Sequence, residues 1–349
     1  MNVPMAELSS QVEGVPPEGL GRVPTVAAWV MDRGGLTAWW MAGLVLLTAG
    51  LCALAPLGMS LAIVLACAGP HNWFEARYLL TRLPPRAGKL WSFFLASALG
   101  VVGLSVGFGM LSFVDWGPTD LQAAVAVWST AWFLWVALLI DWRSRQNPRF
   151  DGGWAWPVAF LGIAGVWIVP WGLSVLLVYL HPLLALWFLD REVGRSRPGW
   201  RRALRCSLAT VPLALAGLYV ACAGSPGLAT EDSLTRAIVQ QCGAGLFPEL
   251  SRFLVAAHAF LESLHYLAWI VFIPTVGLKS PPWRLADIPL ARRGRSWRMG
   301  VGALLMLGLS LVVFLWGAFA SDYTTTRSVY FTVAIVHVLA EIPFLLRNA

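Results

Sequence analysis

The chain has 349 residues, 58% of them hydrophobic and only 12% charged, with a mean hydropathy of +0.68. Soluble domains carry roughly 25% charged residues, so a water-soluble globular domain is excluded and a polytopic membrane protein is expected. The net charge of +7 comes almost entirely from arginines between apolar runs, with lysine only at positions 89 and 279; this reads as membrane topology and gives no sign of a nucleic-acid partner.

In chain order, residues 1–30 are rich in Pro, Gly, Glu and Ser and lack a basic stretch running into a short apolar core. They read as a flexible cytoplasmic tail, with no cleaved signal peptide. Residues 31–349 then form a single transmembrane helical domain. About 20 apolar residues cross the hydrocarbon, and ten segments meet that measure: 36–56, 58–80, 90–113, 121–141, 153–169, 171–190, 202–222, 246–275, 298–320 and 327–347. The junctions Ala55-Pro56-Leu57-Gly58 and Val169-Pro170-Trp171 leave room only for very tight turns. The loops after spans two, four, six and eight are basic, carrying Arg82, Arg86 and Lys89, then Arg143, Arg145 and Arg149, then Arg191 to Arg202, then Lys279 to Arg298. The alternate loops hold Asp115, Asp120, Glu231, Asp232 and Asp322. The positive-inside rule therefore places both termini in the cytoplasm. The expected architecture is an all-α polytopic bundle of about ten transmembrane helices in a bacterial inner (plasma) membrane.

The five histidines, His71, His181, His258, His265 and His337, all lie inside apolar segments, on spans two, six, eight and ten, which share one direction. An ionisable side chain in lipid costs roughly 2.5–3.5 kcal/mol on insertion scales and marks a functional site by default. From His71 to Arg82 is eleven residues, from His181 to Arg191 ten and from His337 to Arg347 ten, a common depth of about 15 Å above the basic end. His265 lies close to that layer, and His258 two turns further out. Three histidines open the same spacing, His71 to Glu75, His258 to Glu262 and His337 to Glu341, which puts imidazole and carboxylate on one helix face. That pair is the ligand chemistry of non-haem iron or zinc. Glu75, Glu262 and Glu341 are thus expected to hold the imidazoles in place or to bind the metal directly. The plainer alternatives are helix-to-helix hydrogen bonding by each histidine, an anchor between Glu75 and Arg77 or Arg82, and one between Glu341 and Arg347.

Other features read as structural. Cys52, Cys67, Cys206, Cys222 and Cys242 show no metal-binding spacing, and Cys222 and Cys242 flank one outer loop where they could bridge. Tryptophans such as Trp39, Trp40, Trp91, Trp116 and Trp154 fall near span ends, as an interfacial belt does. Gly100, Gly103, Gly107 and Gly109 suit close helix contacts. Thr230 to Ile238 reads as a short capped surface helix in the outer loop, and Pro182 can kink span six at the depth of His181.

Around two of the histidines a family likeness emerges. Gly69-Pro70-His71-x-x-x-Glu75 resembles the Pro-His-Gly-x-x-Asp segment of the Brp/Blh-type membrane carotenoid-cleaving dioxygenases, and Val336-His337-x-x-x-Glu341-x-x-Phe344-x-x-Arg347 is similar to their late His-x-x-x-x-Asp stretch. The chain departs from the pattern in Asn72-Trp73 after the first histidine, in Glu75 for Asp, and in its number of spans. The resemblance implies intramembrane non-haem iron (Fe2+), held by His71, His181, His265 and His337, acting with dioxygen on a lipophilic carotenoid, isoprenoid or lipid. One ion or two fit the donor set, and His258 adds a fifth candidate ligand. Two other classes stay open: electron transfer through a b-type haem with paired histidines, and proton or metal-ion transport through a His/Glu relay.

Overall fold

The computed structural model describes residues 33–84, 88–147, 150–243, 247–277 and 284–348. The tail expected over 1–30 lies outside them, as do Arg86, Arg149 and Lys279 of the basic loops. Among the described residues every regular element is helical. The chain runs through α1 (Arg33–Leu54), α2 (Pro56–Arg82), α3 (Trp91–Phe113), α4 (Pro118–Gln146), α5 (Ala155–Ile168), α6 (Gly172–Ser196), α7 (Arg201–Leu208) and α8 (Thr210–Cys222). Then follow the short α9 (Ser233–Gln241), α10 (Ser251–Leu267), a π-helical turn over Ala268–Phe272, α11 (Ile273–Gly277), α12 (Arg295–Ser321) and α13 (Tyr323–Asn348).

Eight helical stretches are long and apolar enough to cross a membrane, which marks an integral membrane protein; α5 and the Trp39–Leu54 part of α1 are shorter apolar helices. The joint between α1 and α2 is a single residue, Ala55, with φ −138° and ψ 67°. Pro56 then opens α2 at a first-turn position, where its missing N–H costs nothing.

The stretch Pro248–Val276, containing α10, is the innermost: 61% of its most apolar window is buried, against 11% for α3 and 17% for α12. Helix α10 packs against α2 and α6 as well as α1 and α8, while α13 packs against α2, α3, α4 and α12; α2, α6, α10 and α13 all run in the same direction. At their C-terminal ends, Glu192 of α6 accepts from Tyr78 at 3.0 Å and from Ser196 at 2.9 Å and pairs with Arg82 of α2. Arg347 donates to the Arg82 carbonyl, and Arg143 of α4 reaches the Leu346 carbonyl at 3.3 Å. At the N-terminal ends, Arg327 of α13 donates to Gln241 at 2.9 Å, Tyr323 to the Leu61 carbonyl at 3.1 Å, and Tyr179 of α6 to the Leu254 carbonyl of α10 at 3.1 Å.

Several expectations change on contact with this packing. Cys222 and Cys242 are both free thiols, buried in separate apolar clusters, so no bridge closes the loop. Trp39, Trp40, Trp91 and Trp154 are exposed near helix ends, but Trp73, Trp128, Trp135 and Trp269 are buried. The first three of those tie helices together through indole N–H bonds to the carbonyls of Leu305, Leu104 and Ala96 at 2.9, 2.8 and 3.1 Å. Gly100 and Gly107 do face close neighbours, the indoles of Trp135 and Trp128, whereas a Cβ at Gly103 or Gly109 would meet nothing within 4 Å. The α9 segment is capped as its sequence suggests, Asp232 accepting from the Thr235 amide at 2.7 Å. Its Ile238 and Val239 are buried, so it lies down on the bundle and is more than a surface helix.

Candidate metal centre

One histidine projects inward from each of the four parallel helices: His71 from α2, His181 from α6, His265 from α10 and His337 from α13. Their rings form a closed quartet. Centroid separations run 5.2 Å from His71 to His265, 4.6 Å from His265 to His181, 4.9 Å from His181 to His337 and 5.3 Å from His337 back to His71. The shared depth read from sequence becomes proximity because the four helices are parallel and turn these rings toward one another, the His265 and His337 rings standing 6.4 Å apart across the quartet. His258 does not join them. Seven residues before His265, about 10 Å along the helix, its ring lies against Tyr179 at 6.3 Å and its Nε2 is 4.0 Å from Glu262.

The three identical His-to-Glu spacings end in three geometries. Glu75 stays with its histidine: His71, Glu75, His265 and His337 each offer a ligand atom, all within 4.8 Å of one another. Glu341 turns instead to the neighbouring helix, its Oε2 3.1 Å from His181 Nδ1. Glu262 keeps beside His258, outside the quartet. The anchor readings for Glu75 with Arg82 and for Glu341 with Arg347 do not hold. Arg82 pairs with Glu192, and Arg347 serves the Arg82 carbonyl and lies over Phe94.

Burial is nearly complete for four of these groups, His71 and Glu75 being 1% exposed and His265 and Glu341 fully buried, whereas His181 is 9% exposed and His337 half-buried. Both oxygens of Glu75 and of Glu341, both nitrogens of His265, and Nδ1 of His337 nevertheless lack a hydrogen-bond partner. Each such buried group costs about 1–3 kcal/mol unless something satisfies it. His71 shows how the ring orientation is set. Its Nδ1 lies 3.1 Å from the Cys67 carbonyl one turn back, and a carbonyl can only accept, so Nδ1 carries the proton and Nε2 presents its lone pair to the centre. His181 and His337 bring their Nε2 atoms to 3.1 Å. Two imidazoles on one ion at about 2.0–2.1 Å each stand about 3 Å apart, so this spacing suits a shared ligand position. Neutral imidazoles with carboxylates are a donor set for zinc or non-haem iron.

A cavity of about 810 Å³ opens from the quartet toward the N-terminal ends of α6 and α13. His181 and His337 form part of its wall, and Phe108, Trp128, Leu177 and Ile335 make it largely apolar. Gln240 and Gln241 of α9 line it as well, so that helix lies over its far end.

The sequence reading missed several contributors. Tyr266 packs on the His71 ring at a centroid distance of 4.4 Å, and Tyr330 takes the Asn72 amide at 3.3 Å. Tyr266 follows His265 directly, and a tyrosine inside an apolar run is a readable signal. The π-helical turn three residues after His265 has no such signal, although turns of this kind gather at functional sites. No protein-family model, curated protein or solved structure matches the chain, so its functional reading rests on its own residues.

Proposed function

We propose that this chain is an intramembrane non-haem iron enzyme, an oxygenase that acts with dioxygen on a lipophilic substrate entering from the bilayer. In this reading α1 and α5 complete ten crossings of a bacterial plasma membrane, with the arginine-bearing helix ends and both termini on the cytoplasmic side. One observation carries the proposal: four imidazoles from four helices meet beside two buried carboxylates that take no hydrogen bond, and two of the four, His181 and His337, line a largely apolar cavity.

The residues divide the work. His71, His265 and His337 would hold the iron together with Glu75, the ligand atoms of these residues lying within 4.8 Å of one another, and His181 would join them through its Nε2, 3.1 Å from that of His337, with Glu341 beside its Nδ1. Iron bound there would supply dioxygen binding and activation. The apolar wall of Phe108, Trp128 and Ile335 would bind a long hydrocarbon chain and keep water from the reacting region. The resemblance of the His71 and His337 segments to the Brp/Blh-type dioxygenases points the same way, toward an isoprenoid or carotenoid. A b-type haem fits less well: the widest ring pair, His265 and His337 at 6.4 Å, has the His71 and His181 rings packed beside it, where a macrocycle would have to lie.

Elemental analysis and a visible spectrum of one purified sample test the reading. Iron without a Soret band is expected. Protein that stays metal-free from iron-replete cells, or a stoichiometric haem spectrum, would overturn it.

A further inference from the structure

The cavity has a second polar pole that the metal centre does not use. His258 and Glu262, on the face of α10 that turns toward the N-terminal ends of α6 and α13, both line it. His258 is 4% exposed and its Nδ1 has no hydrogen-bond partner, while its Nε2 stands 4.0 Å from Glu262, beyond hydrogen-bond reach. A buried imidazole with unused donor and acceptor capacity, facing space of substrate size, is a recognition group awaiting a ligand. The rest of the wall is mostly apolar, interrupted by residues such as Ser174, Tyr330 and Thr332.

The charges around this pole select the ligand. Glu262 presents carboxyl oxygens to the cavity, and an anionic head group has no proton to donate to them. Arg327 is committed to Gln241 at 2.9 Å, to Ser60 and Tyr323 at 3.4 Å, and to the Phe331 face at 4.7 Å. Its Nε has no hydrogen-bond partner, but Arg327 does not line the cavity and so is not placed to take a phosphate or carboxylate there, while its positive charge beside Gln241 opposes a cationic head. What remains is a neutral group that both donates and accepts.

We propose that His258 and Glu262 form a subsite for a neutral hydroxyl or carbonyl end group of a long apolar substrate, whose chain then runs along the cavity to His181 and His337. This rests on the reading of that cavity as the substrate site, and it deepens the class from lipophilic to polar-ended. It also gives the substrate a direction, with its polar end away from the arginine-bearing helix ends.

The test uses the full chain in nanodiscs, metal-loaded and after chelation, with two photoactivatable probes: hexadecanol and hexadecane, each with a diazirine at the far end of the chain. Crosslinks are mapped by mass spectrometry. The alcohol should label cavity-wall residues such as Ile335 and Val338 at about tenfold lower concentration than the hydrocarbon. His258→Phe, which keeps a ring and loses the hydrogen bonds, and Glu262→Gln should each shrink that preference while bound metal stays unchanged. Equal labelling by both probes in the native protein, or an undiminished preference in both variants, would overturn the subsite. So would loss of metal in His258→Phe, which would assign His258 to the metal centre. Alcohol preference in protein that proves never to bind iron would keep the subsite and remove the oxygenase.

Discussion

Glu341 lies one turn from His337 on its own helix, yet its carboxylate reaches across to His181, 3.1 Å from Nδ1. The contact is within ion-pair distance but off the ring N–H direction, since neither Glu341 oxygen takes a hydrogen bond. A partner that orients a ligating imidazole usually contributes about 10–100-fold to metal affinity. Glu341→Gln should therefore retain the fold and weaken metal binding by about that factor, measured by competition with a chelator of known affinity. An unchanged affinity would show that His181 is oriented without Glu341.

Removing single imidazoles should sort the five histidines. Alanine at His71, His181, His265 or His337 is expected to reduce bound metal to a minor fraction of the native content, because each supplies one corner of the quartet. Alanine at His258 should leave it near the native level. Full metal in all four quartet variants would end the metal assignment.

Helix spacing between α3 and α4 depends on Gly100. A Cβ there would collide with the Trp135 indole, which is buried and donates to the Ala96 carbonyl at 3.1 Å. Gly100→Ala should cost about 1–3 kcal/mol as overpacking, seen as a lower melting temperature in detergent. Gly103→Ala, with open space at its Cβ, is the matched control and should be close to neutral.

At the arginine-bearing helix ends, Glu192 gathers Tyr78, Arg82 and Ser196 onto one nearly buried carboxylate. Glu192→Ala would strand the Tyr78 hydroxyl and leave Arg82 unpaired. Arg82 keeps 28% of its side chain exposed, so the expected loss is about 2 kcal/mol and not the larger cost of a fully buried pair. Thermal unfolding should show the fall with metal content unaltered.

The α9 cover depends on pH through Asp232. Hydrogen bonds from Thr235 hold its carboxyl below the ordinary carboxylate range. A depressed value means the cap is present above the unfolded value of about 3.9 and is lost as pH falls through the folded one. Asp232→Ala should imitate the acid state at neutral pH, with Ser233–Gln241 amides exchanging about fivefold faster. Identical exchange in both proteins would mean that the buried Ile238 and Val239 alone hold α9 down.

What sequence made legible here followed from cost. A histidine in an apolar run is expensive in lipid, so His71, His181, His265 and His337 stood out, and the ten or eleven residues from His71, His181 and His337 to Arg82, Arg191 and Arg347 gave those three a common depth. Partner choice left no such trace: the His337 and Glu341 spacing is the same as that of His258 and Glu262, and only the neighbouring helix decides that Glu341 turns to His181. Cys222 and Cys242 were near in sequence, but α9 and α10 bury Cys242 in a different cluster from Cys222. Arg327 opens the last apolar span, and its burial at 2% exposure came from Gln241 and Ser60, which no periodicity connects to it.

The quartet draws its corners from helices α2, α6, α10 and α13, and this has a consequence for biosynthesis. During insertion the nascent chain first carries His71 alone, then two and then three of the imidazoles, while the fourth is supplied only with α13. A ribosome stalled before that helix would leave the ring of imidazoles open on one side, so an ion held by all four could settle only after the surrounding bundle has been assembled.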